Sequence, residues 1–153
     1  MSDLITQARE AEDDRAGRAL SDKMWELWAD APDARSQELL DEAMSRRESY
    51  DYAGAMKAIE ALITYCPDYA EGYNQRAFVH FLRQDYEAAL PDLKRTLELS
   101  PRHVAALAGQ GLTFAALGRN AEAALSLRAA LDLNPWLNER HLLPQLEQGE
   151  QKL

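Results

Sequence analysis

Residues 71–101 read EGYNQRAFVHFLRQDYEAALPDLKRTLELSP. On either side of the polar break at Arg83–Asp85, apolar residues recur at three- and four-residue spacing, the pattern of two amphipathic helices joined by a turn. Pro101 closes the segment, because the residue ahead of a proline is disfavoured in helical geometry. Counting back from Pro101 in steps of 4, 8, 12 and 24 residues meets Leu97, Leu93, Ala89 and Ala77. The same steps from Pro67 meet Ile63, Ile59, Ala55 and Ala43, and from Pro135 they meet Leu131, Leu127, Ala123 and Gly111. The three prolines lie 34 residues apart, and in every column small residues fall on small and large apolar residues on large.

Small columns mark where the two helices of a pair approach closely, and such a pair cannot bury its apolar face without neighbours. The halves meet at Ser49–Asp51, Arg83–Asp85 and Leu117–Arg119. Gly118 supplies the third turn, whereas Tyr50 obliges the first to form without glycine. Pro91 falls about one turn into a second helix, where a missing N–H costs less than at mid-helix and a local distortion is expected.

The 34-residue period, with Tyr73, Ala77, Tyr86, Ala89, Leu93 and Pro101 in their columns, resembles the tetratricopeptide repeat (TPR) family. The layout is similar to small bacterial single-domain members. The resemblance implies an all-α fold, a right-handed superhelix (α-solenoid) of antiparallel helix pairs. It implies repeats at 36–69, 70–103 and 104–137, one domain overall. Residues 1–35 read either as a degenerate fourth unit or as an unrelated helical hairpin acting as a cap; in both cases Trp25 and Trp28 are expected to pack on the first helix of the next unit. Residues 138–153 are expected to cap the last unit through Leu137, Leu142, Leu143 and Leu146. A short helix over Trp136–Leu143 would be bent or ended by Pro144, followed by a frayed tail from Glu147 to Leu153.

Composition narrows the function. The chain has 153 residues and a net charge of −9, with 16 acids and 8 bases in residues 1–69 against 10 and 9 in the remainder. No basic stripe is present to neutralise phosphates, which speaks against nucleic acid as a partner. No apolar run approaches the roughly 18 residues of a membrane helix, so no membrane association is expected. The polar N-terminus predicts a cytoplasmic location for the chain as it stands, or a periplasmic one if a leader has been removed.

The glycine-rich stretch Ala108–Gly118, AGQGLTFAALG, raises the question of a phosphate loop. Phe114 stands where a GxGxxG motif needs its third glycine, no lysine follows, and no strand precedes it. Gly111 is instead the small column of the third unit. His80, His103 and His141 are scattered without metal-ligand spacing, and the single cysteine, Cys66, precedes a terminating proline. The expectation is no enzyme, no cofactor and no metal.

The resemblance implies ligand binding on the concave face, along the first helices of the repeats. There it singles out Met44, Asn74, Gln75, Phe78, Phe81, Ala108, Gly109 and Leu112. The lysine and paired arginines with which some members clamp a peptide carboxylate are absent from the matching positions. An apolar face with a polar centre suits an amphipathic helix or an extended apolar peptide. The reading is therefore a non-catalytic protein–protein interaction module that binds a peptide or helix of a partner protein. The alternative is a self-associating assembly protein, a weak homo-oligomer through an end or the groove.

Overall fold

The computed structural model describes residues 1–151, the side chains of 149–151 excepted. In chain order the helices are α1 (Ser2–Glu10), α2 (Asp14–Trp28), α3 (Ala34–Glu48), α4 (Tyr52–Tyr65), α5 (Ala70–Leu82), α6 (Tyr86–Leu99), α7 (Val104–Ala116), α8 (Asn120–Leu133), a 3-10 turn (Asn138–Leu142) and α9 (Leu143–Gln151). Among the described residues there is no strand. The chain divides into two compact units, one of residues 28–101 and one of residues 1–27 with 102–153.

In the unit of residues 28–101, α3 packs on α4 and α5 on α6. The periodic columns are its core: Ala43, Ala55, Ile59, Ala77, Ala89 and Leu93 are each 3% exposed or less. Helix α3 starts at a capping box in which the Asp33 carboxylate accepts from Ser36 N and the Ser36 hydroxyl is placed against the Asp33 backbone. The Ser36 N–H and hydroxyl and the Tyr65 hydroxyl all donate to the Asp33 carboxylate and hold its pKa below the ordinary value. The two helices of the α5/α6 pair are clamped by Arg76, which donates to both carboxylate oxygens of Asp92 at 2.8 Å. Helix α6 continues through Pro91, which is exposed.

In the other unit α7 packs on α8, and Ala123 and Leu127 are buried where the period predicts. A Cβ on Gly111 would stand 3.3 Å from the Ala123 carbonyl oxygen, so the small column here is backbone-to-backbone contact. Leu142, Leu143 and Leu146 cover Ala123, Ala124 and Leu127. The short helix expected over Trp136–Leu143 is the 3-10 turn Asn138–Leu142, which ends just before Pro144; Pro144 itself lies in the first turn of α9, where the fixed φ and missing N–H of proline are tolerated. The tail expected to fray is helical as far as Gln151, with Glu147 paired to Arg128 at 3.2 Å, and Lys152 and Leu153 lie outside the described residues.

The N-terminal hairpin of this unit docks on the loops that precede α7 and follow α8. Trp136 sits against Gly17 of α2, and its indole N–H donates to the Ala8 carbonyl at 3.0 Å. Asn134 donates to Ser21, and Arg9 and Arg140 reach Asp132 and Asp14. Trp25 meets His103 edge-on at 6.3 Å. The expectation that both tryptophans rest on the next helix along the chain missed this partner, because the hairpin packs on sequence-distant segments.

All three intra-repeat turns close alike. Tyr50, Gln84 and Gly118 have φ of 63°, 62° and 75°, and the following N–H reaches back to Arg46 O, His80 O and Phe114 O at 2.8–2.9 Å, a Schellman-type ending. A non-glycine residue in the left-handed region costs about 1–2 kcal/mol. Gln84→Gly is therefore expected to raise stability by about 0.5–1 kcal/mol after the entropic penalty of glycine, and Gly118→Ala to lower it by about 1 kcal/mol. Urea titrations of the two variants check this; a destabilised Gln84→Gly would show that the turn is held by its side chain.

Candidate interaction surface

In the unit of residues 28–101, α3 and α5 lie side by side. Glu71, in the first turn of α5, is 1% exposed. A buried carboxylate is costly unless hydrogen-bonded, and its Oε1 accepts from Asn74 Nδ2 at 3.0 Å and from Gln75 Nε2 at 2.8 Å. Gln75 Oε1 in turn accepts from Arg47 Nη1 at 2.7 Å. An amide thus bridges the cation of α3 and the anion of α5. Burial pushes the Arg47 pKa down, while Glu48 and Glu71 oppose that shift. At the entry to α5 the Tyr69 hydroxyl donates to the Trp28 carbonyl at 2.6 Å, and burial raises its pKa well above the ordinary phenol value.

The side chains singled out from the sequence therefore differ in exposure. Asn74 and Gln75 are 5% and 2% exposed, with donors directed to Glu71. Met44 is half-buried against Leu39, Leu40 and Leu62, beside Ala29 and Tyr69. Phe81 is half-buried and edge-on to Tyr86 at 5.2 Å. Phe78 is 42% exposed, and the Arg47 guanidinium lies 4.5 Å from its ring centre. Leu82, one turn further along α5, is 39% exposed. In the other unit, Ala108 is buried, and Gly109 and Leu112 are half-buried on α7.

Arg47 and Glu71 are the residues whose roles escaped the sequence reading. Their link through Gln75 joins two helices and has no periodic signature. His103, read as a loop residue, is buried, and its Nδ1 accepts from Ala106 N to cap α7. Among the described residues no group of three or more His, Cys, Asp or Glu side chains could hold a metal ion. No described helix is long and apolar enough to cross a membrane.

No family model matches the chain. It is 24% identical over 135 residues to a TPR repeat-containing protein of Rhizobium etli, covering 88% of this chain and 66% of that one. It is 36% identical over 74 residues to the tetratricopeptide repeat protein 36 homolog of Nematostella vectensis, covering 48% of this chain and 41% of that one. The chain thus spans 66% and 41% of the lengths of these two relatives. Among solved structures, the first TPR of Spaghetti bound to an HSP90 peptide superimposes with a TM-score of 0.74 at 19% identity, over 76% of this chain and 94% of that one. The TPR2B domain of yeast Sti1 in complex with an Hsp70 peptide gives 0.67 at 23% identity, over 78% and 98%. With its 34-residue period and all-α pairs of helices, the chain has the α-solenoid fold of tetratricopeptide-repeat domains and is similar in sequence to proteins that carry that repeat.

Proposed function

We propose that the chain is a non-catalytic interaction module that binds a peptide or helix of a partner protein on the first helices of its repeats. In this reading residues 36–69, 70–103 and 104–137 are the repeats, flanked by an N-terminal hairpin (1–35) and a C-terminal cap (138–153). Binding centres on α5, where Phe78 is the contact. Met44, Asn74, Gln75 and Phe81 shape that face from beneath, and Ala108, Gly109 and Leu112 offer a small-residue face on α7. The observation that carries this reading is Phe78, an aromatic ring left 42% exposed and held from one side by Arg47. The peptide complexes of the Spaghetti and Sti1 domains support it by likeness of fold.

Interface energy concentrates in a few anchors, whose truncation costs 2 kcal/mol or more, about thirtyfold in affinity. Phe78→Ala is expected to weaken binding of a partner captured from the native source by about that factor, and Lys94→Glu on α6 to leave it unchanged. Calorimetry at two salt concentrations is the check. Strong salt dependence together with an indifferent Phe78→Ala would rule the surface out. Leu125, 68% exposed on α8, favours self-assembly as a second reading, which light scattering over a concentration series tests.

A further inference from the structure

We propose that the α3/α5 surface takes an amphipathic helix whose apolar stripe is flanked by lysine or arginine. This rests on the interaction-module reading and names the partner class for it. Phe78 and Leu82 are four residues apart on α5, so they lie one above the other, and both are about two-fifths exposed. Two large apolar side chains at that spacing match an i, i+4 pair on an approaching helix.

The surrounding charge selects the flanks. On α3, Asp41 and Glu48 are seven residues apart, hence on one stripe of the helix, and both are exposed. Asp85, just beyond α5, is 59% exposed. The nearby cations offset these acids only in part. Arg47, 17% exposed, has its guanidinium over Phe78, is bonded to Gln75 and stands 3.8 Å from Glu48; His80 stands 3.8 Å from Asp85; Arg46 is paired with Glu42 and Asp51. Arg83 is the exposed exception, beside Asp85. A helix that sets apolar residues on Phe78 and Leu82 brings its flanks to Asp41 and Glu48 on one side and Asp85 on the other. Lysine or arginine there is attracted, and glutamate repelled, which decides specificity more than raw affinity. A second copy of this chain, with its own net charge of −9, is the wrong occupant.

Two synthetic helical peptides test this, with the same leucine stripe at i, i+4, i+7 spacing and either lysine or glutamate flanks, titrated into the full chain by fluorescence anisotropy. The lysine-flanked peptide is expected to bind at least about tenfold tighter than the other, and to lose about tenfold on Phe78→Ala or Leu82→Ser and a comparable factor on Asp41→Asn with Glu48→Gln. Melting curves by circular dichroism establish that each variant is folded; Leu82→Ser, at the end of α5, serves if Phe78→Ala is not. Equal affinity of both peptides, each still dependent on Phe78, overturns the charge rule and leaves the docking surface standing. Binding of the lysine-flanked peptide that ignores both Phe78→Ala and Leu82→Ser overturns the surface itself, and binding of neither peptide overturns the proposal.

Discussion

Trp136→Ala is expected to lower the unfolding free energy by about 3 kcal/mol, the lower end of the range for large aromatic truncations because the indole is only half-buried. The side chain fills the socket made by Gly17 and donates to the Ala8 carbonyl, so its loss leaves both a cavity and an unpaired acceptor under the N-terminal hairpin. Gly17→Ala approaches the same contact from the other side. In a solvent-facing helix this change stabilises, since alanine is the better helix former by about 1 kcal/mol. Here the new Cβ would meet Trp136 Cγ, Cβ and Cδ1 within 2.6 Å, and overpacking of this kind costs about 1–3 kcal/mol. Because each change relieves the defect created by the other, the double variant should be more stable than the sum of the singles by about 1–2 kcal/mol. Denaturant titration of the four proteins measures the coupling. A Trp136→Ala variant that melts like the parent, or a Gly17→Ala that melts higher, would mean that the hairpin is not held at this point.

The second large effect is expected at the clamp of α5 and α6. Arg76→Leu leaves the Asp92 carboxylate, 8% exposed, without its bidentate partner. Stranding one member of a buried pair costs about 3 kcal/mol, whereas replacing both by apolar residues of similar size is close to neutral. The Arg76→Leu/Asp92→Leu double variant should therefore recover most of what the single change loses. Melting temperatures at neutral pH decide the matter. A double variant as unstable as the single would show that the other contacts of the arginine, whose guanidinium carbon also lies 5.9 Å from the Tyr73 ring centre, outweigh the stranded charge.

Both sites show what kind of information a linear pattern holds. Ala77, Ala89 and Leu93 were legible because helices paired through a short turn keep their contacts at constant sequence spacing, and each repeat writes the same contacts again. The left-handed residue at 50, 84 and 118 obeys the same rule, although glycine marks it only once. Arg76 and Asp92, by contrast, stand in columns whose chemistry changes from unit to unit: Ser126 donates to Gln110 at 3.0 Å in the third, and the first has Glu42 and Ala58, so no column announced an ion pair.

The candidate surface divides in the same way. Phe78 and Gln75 stand among the residues that the family resemblance singles out, with equal claims by spacing. An exposed aromatic ring and a buried amide have the same periodicity, and only the approach of Arg47 and Glu71 separates them. Nor could the polar centre be seen to close on itself, because a hydrogen-bonded chain from α3 to α5 depends on side-chain reach and not on register.

The sequence by itself determined the class of fold, the helix pairs, the turns within them and the apolar columns, because in a repeat each unit touches chiefly its neighbours in the chain. Only the tertiary structure decided where the N-terminal hairpin rests, which of the residues singled out by the resemblance remain exposed, and that Pro144 lies in the first turn of a further helix, α9. Gly17 and Trp136 illustrate the reason. They meet across more than a hundred residues, each is locally ordinary, and their fit is a property of three-dimensional packing that no spacing along the chain records.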